Sequence, residues 1–311
     1  MNAKEKYKLI CEKNNEVPLF LTYAWYHQLF DNKEWGVAIA EKGNEVVGFM
    51  PYCVRKKKSF SLITHPVLTP YQGVWLMYPE DQKYTNRLSF EKEVITDLIS
   101  QLPKVDSFHQ KFLPGFTNWL PFYWKGYVQS TRYTYIIKDL SDTQQIFNDF
   151  KENIRREIRK AGKKLTVRKT DAIDLLLSMK KTAYQENNQE YPISDDFLSK
   201  VFDFTQQHNC GELLIAEDEQ KNVHSVLFFV WDQHSAYYLQ GVTEGRFKTT
   251  GSMSLLLWEA IQRSARVTKA FNFEGSMVEP IERYFRAFGG EQTPYFEIKK
   301  TSSKLLKLIN Y

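Results

Sequence analysis

Cysteine is scarce in this chain of 311 residues: Cys11, Cys53 and Cys210 are odd in number, far apart and without a C-x-x-C pair. That spacing excludes a disulfide framework and supplies no ligand set for a structural zinc site. The 6 histidines occur singly, with no H-E-x-x-H, so no metal is expected. Long apolar runs are also missing. The longest, such as 226–231, fall far short of the ~20 residues that span a bilayer. The first 16 residues are polar and charged, without an apolar signal core, and a cytoplasmic location is expected.

Nor is there a general excess of one charge. Lys and Arg number 42 against 37 Asp and Glu, a net +5. Residues 151–169 hold nine basic side chains and two acidic ones, so this segment carries +7 and the remainder of the chain −2. A globally basic nucleic-acid protein is excluded; what remains is a near-neutral protein with one basic stripe. Its length suits roughly two domains of ~150 residues. With 42% hydrophobic, 15% aromatic and 25% charged residues, the composition is that of a folded chain.

Pattern along the chain supports two units, 1–140 and 141–311. In the first, residues 19–30 read as a short aromatic helix, 36–41, 46–55, 60–64 and 73–77 as strands, and 90–102 as an amphipathic helix. Strands at 105–112 and 127–137 flank a Trp-rich helical stretch. The second unit opens with a capping-box signal at Ser141 and Gln144 and a basic entry helix over 142–162, whose apolar stripe includes Ile146, Phe150, Ile154 and Ile158. A meander of strands at 212–217, 223–231 and 236–242 follows. Next come a helix from Ser252, a strand at 270–273, a helix at 281–288 and a last strand at 295–299. The fold class expected is α/β (α+β), with a mixed, mainly antiparallel twisted sheet flanked by helices in each unit.

Four constellations can carry chemistry. Between a strand and a helix stand Arg246, Lys248, Thr249, Thr250, Gly251 and Ser252, where unpaired N–H groups, a positive dipole end, two cations and hydroxyls suit an anion; an ordinary strand-to-helix turn has the same composition. The run Asn272-Phe273-Glu274-Gly275-Ser276 ends a buried strand in a carboxylate. There Glu274 could act as a general base on an ammonium, or simply cap the turn. Tyr284, Tyr237 and Tyr238 could donate to an oxyanion, or belong to the core. On the basic helix Lys151, Arg155 and Arg159 recur at i, i+4, i+8, either as a solvated face or as a handle for a polyanion. Thr69-Pro70-Tyr71-Gln72-Gly73 could line a cleft, or form a tight turn on a packed core.

Taken together, the meander, the Gly-bearing turn, the Asn272 run, the Asn-Ile-Arg-Arg-Glu-Ile-Arg-Lys-Ala phrase from Asn153 and the Tyr-Phe-Arg-Ala-Phe-Gly-Gly ending from Tyr284 resemble the GNAT acyltransferase superfamily, in its double, FemAB-like branch. The resemblance implies two tandem GNAT-like units, acceptor side first and donor side second. It implies transfer of an acyl or aminoacyl group from an acyl-CoA or an aminoacyl-tRNA to a primary amine, here on a phosphate-bearing cell-envelope or polysaccharide-related precursor. Glu274 and Tyr284 would be catalytic. Arg246, Lys248, Thr250, Gly251 and Ser252 would hold the donor, and Arg155, Arg159, Tyr71 and Gln72 the acceptor. Thr249 stands where the family's pyrophosphate loop has its first glycine, which crowds a pyrophosphate, and no inserted helical hairpin marks a tRNA-dependent member. CoA and charged tRNA therefore both stay open as donor, as do a small-molecule acetyltransferase and a silent module binding RNA or an anionic glycan.

Overall fold

A computed structural model gives the positions of residues 1–275 and 277–308; Ser276, which ends the Asn272 run, lies outside the described residues. In chain order the elements begin α1 (Ala3–Lys13), α2 (Tyr23–Leu29), β1 (Trp35–Lys42), β2 (Glu45–Lys57), β3 (Phe60–Thr64), β4 (Trp75–Leu76), α3 (Tyr84–Ser100), β5 (Ser107–Lys111), α4 (Leu120–Trp124) and β6 (Val128–Ile137). They continue α5 (Thr143–Asp149), α6 (Glu152–Ala161), β7 (Thr166–Thr170), α7 (Ile173–Gln185), α8 (Asp195–Gln207), β8 (Gly211–Glu217), β9 (Val223–Trp231) and β10 (Ser235–Thr243). The last are α9 (Ser252–Ser264), β11 (Ala270–Asn272), α10 (Glu279–Arg286), β12 (Glu291–Thr301) and α11 (Lys304–Leu308).

Two units result, one of Met1–Arg132 with the segment from Pro294 on, the other Tyr133–Thr293. The expected division at residue 140 thus falls inside the second unit, and the end of the chain joins the first. The reason is strand pairing: β12 runs antiparallel to β5, from Glu297↔Lys111 to Thr301↔Ser107.

In the first unit the sheet runs β1-β2-β3-β5-β12, with β4 on β2. Strand alternation sends Ala38, Ile63, Phe108 and Ile298 into a core shared with Phe90, Val94, Ile95 and Leu98 of α3. Helix α1 was not expected, because only Tyr7 of its residues is buried. Its signal is the capping box, Asn2 with Glu5, and Tyr7 packs on Phe49 at 4.9 Å between ring centroids.

On the side of β5 and β12 opposite Phe108 and Ile298 lies a buried carboxylate. Glu297, 3% exposed, receives His109 Nε2 at 2.9 Å, Arg132 Nη2 at 3.1 Å and Lys299 Nζ at 3.0 Å, and Ser130 Oγ donates to it at 3.0 Å. Burial pushes its carboxyl up, but the hydrogen bonds from Lys299, His109 and Arg132 outweigh that and hold it at about 2. A depressed carboxyl stabilises the fold above its unfolded value and loses that contribution as pH falls through the folded one. Glu297→Gln is therefore expected to cost roughly 3 kcal/mol at neutral pH. The gap to wild type should close between about pH 4.5 and 2 in urea titrations; a gap independent of pH would show that the carboxylate's charge is not what matters.

In the second unit the sheet order is β6-β11-β10-β9-β8-β7. Helix α9 and the α5–α6 pair share its main core, with Ile146, Phe150, Ile154, Leu256, Leu257 and Ile261 buried. The expected single helix over 142–162 is two. Phe150 turns extended, at φ −63° and ψ 145°, its ring packs on Phe288 at 5.1 Å, and Lys151 N donates to Ala287 O at 2.9 Å instead of continuing the helix. The N-cap of α5 is Asp142, not Ser141, with Asp142 Oδ1 accepting Gln145 N at 2.9 Å.

Candidate functional site

β10 and β11 pair in parallel only from Ser235↔Ala270 to Tyr237↔Asn272. Beyond that β11 stops while β10 runs on to Thr243, and the β10–β9 ladder shifts register between Tyr238 and Gln240. A bulge of this kind bends a strand and re-aims its side chains. The two strands' carboxyl ends are thus unpaired with each other, the place where open α/β sheets collect ligands.

Glu274 stands at this point with φ +59°, and Gly275 follows at φ +57°. A non-glycine residue in the left-handed region is uncommon and costs energy unless its surroundings hold it. Asn272 does so: its Oδ1 accepts Glu274 N at 2.8 Å and Thr134 Oγ1 at 2.6 Å. Tyr238 lies near enough to feel the Glu274 charge. Burial first, and then that carboxylate, push its phenol well up. Its ring occupies the space over Gly241, where a Cβ would overlap Tyr238 Oη.

Tyr284 Oη hydrogen-bonds Ser254 Oγ at 2.9 Å, and Ser254 Oγ donates to Glu157 Oε2 at 3.0 Å. Burial raises the Tyr284 phenol far more than the Ser254 hydrogen bond lowers it, so it keeps its proton at neutral pH. The chain Glu157–Ser254–Tyr284 joins α6, α9 and α10. Sequence reasoning had picked out Tyr284 but neither Ser254 nor Glu157, which read as ordinary helix-surface residues.

The loop before α9 is arranged differently from an anion cradle. Gly251, at φ +75°, is the N-cap and gives no side-chain cap. The hydroxyls turn inward: Ser252 Oγ meets Ser225 Oγ at 2.6 Å, and Thr250 Oγ1 donates to Phe247 O at 2.8 Å. His224 stacks on Phe247 with centroids 3.6 Å apart, and its Nδ1 lies 3.3 Å from Thr250 Oγ1. Arg246 Nε pairs with Glu244 at 2.6 Å; Thr249 and Lys248 are exposed. A cavity of about 160 Å³ adjoins the loop, lined by Thr243, Glu244 and Gly245 and by Ser178, Thr182 and Glu186 of α7 and its C-cap. A Cβ on Gly245 would sit 3.3 Å from Glu186 Oε1. Two carboxylates at its mouth, one arginine already paired and hydroxyls already bonded do not fit a diphosphate.

The other expected residues are distributed as follows. Arg155 Nη2 contacts Glu152 at 2.6 Å and Arg159 Nη1 lies 3.8 Å from the same carboxylate. Among the described residues Arg156, Lys160 and Lys163 make no ion pair, so the strip on α6 keeps most of its charge. Tyr71 and Gln72 are buried, at 1% and 0% exposure. The Tyr71 ring is edge-on to Tyr295 and Gln72 Nε2 donates to Tyr26 Oη at 2.8 Å, so both side chains pack into the first unit. Among the described residues no group of three His, Cys, Asp or Glu side chains could hold a metal ion. No helix there is long and apolar enough to cross a membrane.

Comparison with known proteins bears on the fold. Residues 148–275 match the family model described as an acetyltransferase (GNAT) domain. No curated protein matches the chain significantly. Among solved structures, FemX superposes with a TM-score of 0.67 at 11% identity, covering 100% of this chain and 99% of its own. L-PGS from Bacillus licheniformis gives 0.57 at 10% identity, covering 98% and 94%. A tandem GNAT protein from the clavulanic acid biosynthesis pathway gives 0.54 at 9% identity, covering 96% and 94%. The chain therefore has a GNAT-superfamily, FemAB-like fold, and its residues 148–275 match the GNAT acetyltransferase domain model.

Proposed function

We propose that the protein transfers an aminoacyl group from an activated ester to the primary amine of a phosphate-bearing cell-envelope or polysaccharide-related precursor. The observation that carries this reading is the divergence of β10 and β11 at a strained Glu274, with two protonated tyrosines nearby. An amine acceptor arrives as an ammonium and must lose a proton before it attacks. Glu274 serves as the base, directly or through one water. As the amine adds to the ester carbonyl, Tyr238 donates to the developing oxyanion. Collapse of the tetrahedral intermediate breaks the ester bond: Tyr284 protonates the departing oxygen and regains a proton from the new amide nitrogen, while Glu274 returns the ammonium's first proton to water.

The choice of an aminoacyl donor over acyl-CoA is supported by the loop. A CoA diphosphate would meet Glu186 and Glu244 there, with Thr249 in place of a glycine. An aminoacyl ester instead brings an α-ammonium that those carboxylates can receive. FemX and L-PGS, which share the fold at low identity, fit this reading without deciding it. In this reading Arg155 and Arg159, with Arg156 and Lys160 beside them, meet the acceptor's or the donor's phosphates.

The test is a paired assay with mixed aminoacyl-tRNA or acetyl-CoA as donor and amine-bearing, phosphate-linked precursors as acceptors, with products read by mass spectrometry. An aminoacyl adduct is expected. An acetyl adduct alone would replace this reading with a CoA-dependent one, and no adduct with either donor would leave a binding module.

A further inference from the structure

The Trp-rich stretch before β6 takes no part in the chemistry above, yet it places large apolar side chains in the open. Helix α4 reads Leu-Pro-Phe-Tyr-Trp, apolar or aromatic at every position. Pro121 and Phe122 turn into the first unit and are buried. Leu120, Tyr123 and Trp124, at i, i+3 and i+4, share the other stripe and are 47%, 58% and 55% exposed. One side of the helix is satisfied by the core, and the other is a contiguous apolar patch of the kind that marks a docking site.

Beside this stripe the first unit opens a groove of about 460 Å³. Ile99, Leu102, Val105 and Tyr127 give it apolar walls, and Lys104, Lys125 and Lys300 line it as well. Lys125 directly follows Trp124, so groove and stripe are continuous. Lys92 of α3 joins them, with Nζ 5.2 Å from the centroid of the Trp124 ring. Lys300 Nζ donates to Lys125 O at 2.7 Å and stands 4.9 Å from the Tyr127 ring centroid. Among the described residues none of these four ammonium groups makes an ion pair. The acidic residues between 88 and 130 are engaged elsewhere. Glu91 accepts Arg87 Nε and Asn118 Nδ2, and Glu93 pairs with Lys42. Asp97 accepts Gln101 Nε2, and Asp106 accepts Ser61 N. The patch is thus apolar with a charge of one sign.

Exposed tryptophan and tyrosine beside lysine suit a lipid–water interface, where amphipathic rings settle among headgroups and lysine stems lie along hydrocarbon with the ammonium in water. A protein partner fits less well, because protein interfaces favour arginine and are depleted in lysine, and the cations here are all lysines. A single nucleic-acid strand needs a row of ring faces for its bases, whereas Ile99, Leu102 and Val105 offer aliphatic walls. The unpaired positive charge selects an anionic surface. We infer that α4 and the adjoining groove are a docking surface for an anionic phospholipid bilayer. Leu120, Tyr123 and Trp124 enter the headgroup layer, and Lys92, Lys104, Lys125 and Lys300 meet lipid phosphates. The attachment is peripheral, with no helix crossing the bilayer. The inference goes beyond the transferase reading and does not rest on it: the surface docks whether or not the second unit transfers an aminoacyl group.

The experiment is flotation of the full chain with vesicles of phosphatidylglycerol, of phosphatidylcholine or of an equal mixture, at low and high salt. Binding to phosphatidylglycerol vesicles is expected, with little to pure phosphatidylcholine and a marked loss as salt rises. Lys104→Gln with Lys125→Gln should weaken it about thirtyfold, roughly a factor of five for each lysine. Tyr123→Ser with Trp124→Ser changes only exposed side chains, so it should abolish flotation while circular dichroism and Tm stay those of wild type. Arg155→Gln with Arg159→Gln on α6 should leave the affinity within about twofold, as an independent site. A second readout reports depth: lipids brominated along their acyl chains should quench part of the tryptophan fluorescence, and Trp124→Phe should still bind but lose that quenching. The inference is overturned by a wild type that does not float with phosphatidylglycerol, or by a Tyr123→Ser, Trp124→Ser variant that still does. Loss of flotation in the α6 variant, or quenching that persists in Trp124→Phe, overturns it equally. Bulk tRNA bound through Tyr123 and Trp124, without vesicle binding, would put a nucleic acid in place of the bilayer.

Discussion

Gly275→Ala is expected to lower stability by roughly 3 to 5 kcal/mol, the sum of left-handed backbone cost and overpacking against rigid atoms. Gly275 sits at φ +57°, and a Cβ there would overlap the Tyr133 carbonyl oxygen and reach within 2.5 Å of Thr134 Cα. Both obstacles are backbone, so no rotamer change relieves them. Either the turn opens, moving Glu274 off Asn272, or β6 shifts from β11, which it pairs at Phe271↔Ile137 and Asn272↔Ile136. A fall in Tm of about 10 °C follows for a chain of this size. Scanning calorimetry with urea unfolding measures it, and a wild-type Tm would mean that the tight approach is relieved at little cost. Because the overlap lies beside Glu274, turnover should fall more than stability alone explains.

Glu274→Gln is expected to leave the fold intact and remove most of the chemistry. The amide is nearly isosteric, and the Asn272 Oδ1 contact is to the Glu274 backbone N–H, which the substitution keeps. Only the ability to take a proton is lost, typically a factor of 10²–10⁴. The loss should fall on kcat with KM little changed, since the group acts in the transition state. Unchanged turnover would remove Glu274 from the mechanism and leave the site to its tyrosines.

How much of this was legible in the sequence depends on how local the cause is. The meander, the strand ending at Asn272 and the amphipathic α9 are written in alternation and period, which a single strand or helix carries by itself. The break between α5 and α6 was not, because it is made by Ala287, 136 residues after the Lys151 whose N–H it accepts. Ser141 carried the right residue type for a cap, yet Asp142, with the same chemistry, took the position. Tyr71 and Gln72 were rightly seen as special, but Tyr26 and Tyr295, which enclose them, come from opposite ends of the chain. Most hidden was the Glu297 cluster. Its members stand at 109, 130, 132, 297 and 299, so a count along the chain averaged them into the near-neutral remainder.

The pairing of β12 with β5 orders events during synthesis. The first unit's strand from Pro294 to Thr301 is translated only after the entire second unit, so β5 waits with an unpaired edge while 133–293 can already fold as an independent core. An exposed edge is a template for pairing with another chain, and here its lifetime is set by translation, not by folding. Slowing the ribosome between residues 133 and 293 should therefore raise aggregation of nascent chains that carry only native residues, and cutting the gene at the unit boundary would make that exposure permanent.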